Sequence, residues 1–594
     1  MEYVWKKRDG CKTVRDVIER NTGLKADEFL HPEKNPFVAN LKEAADFFKK
    51  AAKEVPLVTV MADYDCDGVM SALILERFLA EFAKAEKLSF RIRIRFPKRF
   101  SEGYGLSMNV VNETEEGLLI TVDNGIAAVS QIREAKKKGL KVLVIDHHLP
   151  PKDGILPPAD VILDPHAQEG SAFADYCGAG LAFRFAQKVM PSLPAAVKKK
   201  LCVFASIATV ADMVPLYGDN RNLAKEGLSL INKGRVTFGM QVLLDLLHLR
   251  PMDASGCSSL IDEETYGYSI GPLVNAAGRM EDDGPWKVFE VLREDADPDN
   301  PVSGEDLKSL KERAQDLIAC NERRKAAVEK CMEHLRTEMA GRNLMEDRFL
   351  IVLCESSNEG INGLLASALV EEYRRPAVVL CHSAKDPCIL KGSGRTFADI
   401  HLRHVLDEAS DCLIGYGGHA GAAGVSLYEK DLEAFAERAN RALSGYDFEK
   451  DRDVRWYDLS VTAEEVPEIL PEVLKYAPYG EGNPKPVFSI SGYELAPSGG
   501  QFIRLFGKKE EHISFFGRTL PATGFGLAGK YLYLQKPKRM ELLGSLKEEC
   551  FRKRRYAEIQ AEDIHAENSG DMPLPYRDLE EVMDFTEEAV GFNE

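Results

Sequence analysis

At 594 residues, 44% hydrophobic and 29% charged, the chain exceeds what one hydrophobic core serves and is too apolar for long disorder, so three or four compact units of an ordinary soluble protein are expected. A formal net charge of −18 argues against broad adhesion to nucleic acid and confines any nucleic-acid path to a local basic stripe. Twelve cysteines scattered singly from Cys11 to Cys550 argue against a disulfide framework or a thiolate zinc site, and no apolar run reaches the ~20 residues of a membrane span, so a cytoplasmic protein without a membrane partner is expected.

From Leu57 to about Asp146 short apolar runs alternate with helical patterns. Leu57–Met61, Leu118–Val122 and Lys141–Ile145 read as buried strands, and Val69–Ala83 and Ala127–Lys138 as the helices between them. This βαβαβ order predicts a mostly parallel sheet covered on both faces, with ligands at the carboxyl ends of its strands. Asp63-Tyr64-Asp65-Cys66-Asp67-Gly68 follows the first strand, and alternate carboxylates in an extended loop converge as a hard divalent cation requires. A calcium loop begins the same way, but its twelfth position would be Glu, where this chain has Ile74, and a strand rather than a helix precedes it. Asp123-Asn124-Gly125 follows the second strand and Asp146-His147-His148 the third. One sheet edge therefore collects a mixed oxygen and imidazole shell of the kind manganese or similar metals favour. Arg91, Arg93 and Arg95 alternate as a strand with one charged face, read as a solvated surface that could border a DNA channel. Asp212 ends the apolar run Val203–Ala211.

The segment Gly304–Met339 lacks internal Pro and Gly and repeats Leu307, Leu310, Ala314, Leu317, Val328, Met332 and Leu335 at near-helical spacing, which predicts a connecting helix. Phe349–Leu353 opens a second α/β unit that runs to about Gly445. It contains Lys391-Gly392-Ser393-Gly394-Arg395-Thr396 and the run Gly415–Gly424, whose five glycines in ten residues either let amides approach an anion or serve close packing. From Asp451 to Asp563 short mixed runs broken by Gly and Pro predict a small β-barrel. Its aromatics, Phe502, Phe506, Phe515, Phe516, Tyr531 and Tyr533, lie among Lys508, Lys509, Arg518, Lys530 and Lys536, and most read as core. A basic run, Arg552-Lys553-Arg554-Arg555, and an acidic last stretch complete the chain.

Taken in order, the Asp63–Gly68, Val122–Gly125, Asp146–His148 and Thr209–Leu216 segments resemble the four motifs of the DHH phosphoesterases. The resemblance implies two Mn²⁺ or Mg²⁺ ions and hydrolysis without a covalent intermediate. It implies Asp65, Asp67, Asp123, His147 and Asp212 as metal ligands, with Asp63 beside them and His148 beside the phosphate, so that Asp63, Asp123 and His148 form the catalytic set. Val60, Met61 and Ala62 stand where some members carry a histidine ahead of the first motif. Pro97–Leu106, Gly271–Met280 and Pro478–Phe488 are similar to segments of the RecJ branch, the last leading into an oligonucleotide-binding (OB) barrel. On that resemblance Arg99, Asn275, Arg279, Ser393, Arg395, Gly418 and His419 would bind the nucleotide and its terminal phosphate. Ser357-Asn358 replace the Trp-His that RecJ proteins often show before Glu359-Gly360.

The implied division is a DHH catalytic domain at 1–300, the connecting helix at 301–342, a DHH-associated domain at 343–447, an OB-like barrel at 448–565 and an acidic tail at 566–594. The implied activity is a 5′ to 3′ exonuclease on single-stranded DNA, in repair and recombination, monomeric and assisted by a helicase and a single-strand-binding protein. Two alternatives remain open from the residues: a cyclic dinucleotide phosphodiesterase or pyrophosphatase, and a catalytically silent single-strand-binding scaffold.

Overall fold

The computed structural model describes residues 3–114, 116–151, 153–249, 261–295, 303–343, 347–450, 452–551 and 554–567. The chain begins with strand β1 (Val4–Lys7) and then builds a five-stranded sheet from β2 (Leu57–Ala62), β3 (Arg91–Arg95), β4 (Leu118–Val122), β5 (Lys141–Ile145) and β6 (Val161–Leu163). Its order is β3-β2-β4-β5-β6 and every pairing is parallel. The central strands are continuous apolar runs because helices cover both faces.

Helix α1 (Cys66–Glu86) starts directly from the Asp63–Gly68 loop, where the Asp65 side chain accepts the Gly68 amide at 3.1 Å as an N-cap. Behind it stand α2 (Gly178–Val189), α3 (Ala195–Ala211), α4 (Gly218–Ile231) and α5 (Gly271–Met280). Phe48, Phe78, Phe82 and Phe185 interlock in tilted and edge-on pairs at 5.1–5.9 Å in this core.

The expected connecting helix is α6 (Gly304–Met339). Leu310, Ala314 and Leu317 pack on the first core, and Cys331, Met332, Leu335 and Met339 on the second unit. One helix thus bridges two cores. The second unit holds β7 (Leu350–Leu353), α7 (Asn362–Tyr373), β8 (Ala377–His382), β9 (Ile389–Arg395), β10 (Gly415–Gly418) and β11 (Ala422–Tyr428). Among the described strands of this unit only β7 and β8 run parallel, and β8, β9, β11 and β10 pair antiparallel in that order.

The last unit contains β12 (Val454–Tyr457), β13 (Leu459–Thr462), β14 (Phe488–Glu494), β15 (Ile503–Phe506), β16 (His512–Phe515), β17 (Ala522–Gly524), β18 (Arg539–Phe551) and β19 (Arg554–Ala566). Strands β14-β18-β19-β17-β16 pair in succession, and backbone bonds from Arg518 to Glu494 and from Ala496 to Phe516 return β16 to β14. The ring closes as a barrel, which leaves few free edges.

One expected boundary changes. The first thirty residues do not join the catalytic core: β1 pairs in parallel with β12, and Cys11, Val14, Val17, Ile18, Ala26 and Phe29 complete the barrel core. Trp5 stacks on His565 at 4.0 Å and donates to Asp563 at 2.8 Å, while Arg8 and Arg20 converge on buried Asp458 at 3.0 and 2.7 Å. Of the two basic runs, Arg93 and Arg95 pair with Glu113, and Arg95 also with Glu102, so two of the three arginines on that strand are ion-paired. Arg552 and Lys553, and residues 568–594 of the acidic tail, lie outside the described residues. No described helix is long and apolar enough to cross a membrane.

Candidate metal centre and substrate cleft

Four strands end at one edge: β2 delivers Asp63, β4 Asp123, β5 Asp146 and β6 Asp164. The Asp63–Asp67 loop folds under that edge because Gly68 has no side chain, since any Cβ there would collide with the Asp63 carbonyl. Asp123 itself sits at φ 59°, a left-handed conformation that turns its carboxylate inward. Ligand atoms of Asp63, Asp65 and Asp123 lie within 4.8 Å of one another, and so do those of Asp67, His147 and Asp212 and those of Asp123, His147 and His148. Asp123 links these groups, its Oδ1 standing 3.2 Å from His147 Nε2. Oδ2 of Asp67 and of Asp212 are each 3.7 Å from the same nitrogen.

Electrostatics favour a cation here. Burial, then the charge of Asp65, raises Asp63 well above the usual carboxylate range, and burial with neighbouring carboxylates does the same for Asp123 and Asp212. Asp67 is pushed up to about 6 by burial and Asp65, although the Gly178 and Ala179 amides donate to it at 2.5 and 2.7 Å. Asp63 Oδ1 is buried and accepts no hydrogen bond. A cluster of desolvated carboxylates with an unsatisfied oxygen lacks positive charge, and divalent cations would supply it.

The two histidines differ. Burial, then the charge of His148, drops His147 to about 3, leaving a neutral ring with a free lone pair. Burial opposes charge on His148 too, but Asp146, 2.8 Å from its Nδ1, pushes it up to about 9. Asp146 is a pivot: it also accepts the amides of Ile126, His147 and His148.

Facing this edge is a cleft of about 360 Å³ lined by Tyr64, Arg99, Tyr104, Lys391, Gly392 and Tyr416, from both α/β units. The Arg99 guanidinium lies 3.7 Å from the centre of the Tyr64 ring and donates to the Gly278 carbonyl at 2.8 Å. Arg279 donates to Gly360 across the two units at 3.0 Å, and its charge is opposed by burial and by Arg99 and Arg395. Arg395 donates to the Ser393 hydroxyl at 3.0 Å. Arg99, Arg279 and Arg395 thus gather with Ser393 near one place. Asn275 sits differently, its side-chain oxygen accepting the Cys66 amide at 2.8 Å, so it holds the metal loop from α5.

The glycine-rich run is a hairpin: β10 pairs with β11, Gly418, at φ 138°, has no room for a side chain beneath the Ala422 carbonyl, and Gly415, Gly417 and Gly424 line the cleft with open space where a side chain would stand. Beyond it His419 is held below its ordinary pKa by burial, then by the charges of His148 and His166. Three contributors escaped the sequence reading. Asp164 and His166 follow β6, whose three residues carry no readable period, and Arg324 reaches the arginine cluster from α6 with its Nε buried and unpartnered.

Family models match the chain as the DHH family N-terminal domain at 57–209, the DHHA1 domain at 346–445 and the RecJ OB domain at 457–563. The single-stranded-DNA-specific exonuclease RecJ of Bacillus subtilis is 30% identical over 559 residues, 91% of this chain and 66% of that protein. RecJ of Thermus thermophilus is 30% identical over 541 residues, 90% of this chain and 73% of its own length. The crystal structure of the Thermus protein in complex with Mn²⁺ superposes with a TM-score of 0.73 at 25% identity, covering 93% of this chain and 76% of that one.

Proposed function

The chain belongs to the RecJ family, and from that premise we propose that it is a metal-dependent exonuclease that hydrolyses single-stranded DNA from the 5′ end, in repair and recombination. The observation that carries this is the convergence of Asp63, Asp65, Asp67, Asp123, His147 and Asp212 on one edge, beside a cleft that Arg99 lines together with Lys391 of the second α/β unit. The donor set fits two hard cations of the kind named in the Thermus structures, Mn²⁺ and Mg²⁺. Asp63, Asp65 and Asp123 would hold one ion and Asp67, His147 and Asp212 the other, with Asp123 reaching both. When bound, such a pair lowers the pKa of a water and stabilises the attacking and leaving oxygens of an in-line displacement.

The chain's own groups do the rest. Neutral His147 offers its nitrogen without first losing a proton, and His148, held cationic by Asp146, places positive charge beside the phosphate. Arg99, Arg279 and Arg395 with Ser393 grip the terminal phosphate through fork-like donors, and Gly418 and His419 close the far side. Asn275 keeps the Cys66 amide, and so the metal loop, in register. The barrel leads the strand toward the cleft. On this reading duplex DNA has to be opened before a single strand enters the cleft, so a helicase and a single-strand-binding protein belong to the proposal, as do a monomeric state and a cytoplasmic location.

The test is hydrolysis of end-labelled single-stranded and duplex DNA with Mn²⁺ or Mg²⁺, comparing the protein with Asp123→Ala. Shortening of single strands from the 5′ end, lost on chelation and in Asp123→Ala, is expected. Hydrolysis of cyclic dinucleotides or pyrophosphate with DNA untouched would replace the substrate, and binding without hydrolysis would favour a scaffold.

A further inference from the structure

Asp212 caps the last turn of α3, and Met213 after it turns the chain at φ 57°. Within the catalytic unit the following loop is tied by Asn220 to the Pro215 carbonyl at 3.1 Å and by the Tyr217 hydroxyl to Asp175 at 2.8 Å. Val214 packs on the catalytic core and Tyr217 meets Phe173 edge-on, and the barrel unit adds a further hold. Leu216 donates its amide to the Glu481 carbonyl at 2.7 Å. Gly480 and Gly482 press against the same loop: a Cβ on Gly480 would lie 2.8 Å from Leu216 Cδ1, and one on Gly482, at φ 69°, would lie 3.0 Å from Pro215 and 3.1 Å from the Tyr217 ring.

Arg221, on α4 just beyond this loop, is fully buried and has no acidic ion-pair partner among the described residues. It donates to the Tyr476 carbonyl at 2.8 Å and stacks on Phe29 at 4.2 Å. Asn483, also fully buried, donates to the same Tyr476 carbonyl at 3.1 Å and to Pro478 at 2.9 Å. The two side chains converge on one short stretch of barrel backbone.

A second leg reaches the other side of Asp212. The Tyr479 amide donates to Glu263 at 3.0 Å, Lys485 pairs with Glu264, and Gln560 donates to Glu264 at 3.2 Å. Those glutamates lead into a π-helical turn, Thr265–Ile270, that packs on the end of α3: a Cβ on Gly267 would sit 4.0 Å from Val210, and one on Gly271 2.9 Å from Ala211.

We propose that the barrel's Tyr476–Lys485 loop is a strut for the metal centre, setting Asp212 in place from both sides, so that Arg221, Gly480, Gly482 and Asn483 are positioning residues of a site none of them touches. The proposal rests on the reading of Asp212 as a metal ligand. It makes the Asp67–His147–Asp212 group depend on the barrel directly, through Asp212, which the Asp63–Asp65–Asp123 group does not include.

The experiment titrates Mn²⁺ into the full chain without DNA and follows free Mn²⁺ by electron paramagnetic resonance. Two ions are expected for the unaltered protein. In Gly482→Ala and Arg221→Met one ion weakens by about tenfold or more, as is usual when a supporting contact of a metal ligand is lost, while the other keeps its affinity. Exonuclease activity of both variants then returns at raised Mn²⁺. Two unchanged affinities in both variants would overturn the strut, and so would equal weakening of both ions. If Arg221→Met does not fold, Gly482→Ala and Lys485→Met, one on each leg, decide the same question. An unaltered protein that binds no Mn²⁺ would overturn the metal-centre reading itself, a result distinct from loss of the strut alone.

Discussion

At the scale of single residues, close approach decides what substitution rules miss. Gly178 opens α2 where its amide meets Asp67, and an added Cβ would lie 2.7 Å from Asp123 Cβ and 2.9 Å from Asp67 Oδ2. Helix propensity favours alanine over glycine by ~1 kcal/mol, so local reasoning predicts a gain. Both neighbours are buried and cannot give way. Gly178→Ala is therefore expected to fold and yet lose about tenfold or more in kcat at saturating Mn²⁺. Unchanged kcat in a folded variant would show that the carboxylates tolerate displacement. Asp164 carries a second prediction. It is fully buried, and burial, then the charge of Asp146, pushes it up to about 7, whereas an unfolded aspartate titrates near ~4. Between those values the folded state binds the extra proton, so this group's contribution is complete below about pH 4 and is lost as pH rises through about 7. With metal chelated, Asp164→Asn should gain at least about 1 kcal/mol on the unaltered protein between pH 5 and pH 8 in urea melts. A gap that stays constant with pH would refute this. Neither residue was legible, because Gly178 matters only through tertiary contact and Asp164 follows a strand of three residues.

At the scale of elements, legibility tracks burial. Strands β4 and β5 coincide with the runs Leu118–Val122 and Lys141–Ile145, and β2 adds only Ala62 to Leu57–Met61, since strands covered on both faces must be apolar throughout. Helix α6 was legible from its uninterrupted period, and the motif loops from their carboxylates. Strand β9 was not, because its residues read as a glycine motif. Its glycines answer to the neighbouring strand: a Cβ on Gly392 would lie 2.6 Å from Leu380, and one on Gly394 3.0 Å from Val378. Strand β10 hides because three of its four residues are glycine, of which Gly418 alone is pressed by a neighbour while Gly415 and Gly417 face open space. At Gly392, Gly394 and Gly418 glycine marks close packing, and from sequence that looks like a loop built for anions.

At the scale of the whole molecule, the chain closes on itself. It leaves the barrel unit after the first thirty residues, builds the catalytic unit, crosses α6 to the second unit and returns to complete the barrel. Val14, Val17, Ile18 and Phe29 share their core with the barrel unit, which arrives some four hundred residues later. Each such side chain contributes roughly 1.5–3 kcal/mol when covered, and an uncovered group of them forms an apolar patch that drives association. The N-terminal segment should therefore follow the barrel when the chain is cut. A fragment of residues 1–450, which keeps the segment and loses its cover, is expected to aggregate and to bind a hydrophobic dye. A fragment of residues 34–450, without both, is expected to stay dispersed on size-exclusion chromatography, although it also uncovers the Arg221 guanidinium that Phe29 covers in the longer fragment. The reverse ranking would place the first thirty residues with the catalytic unit, against the β1–β12 pairing and the shared core.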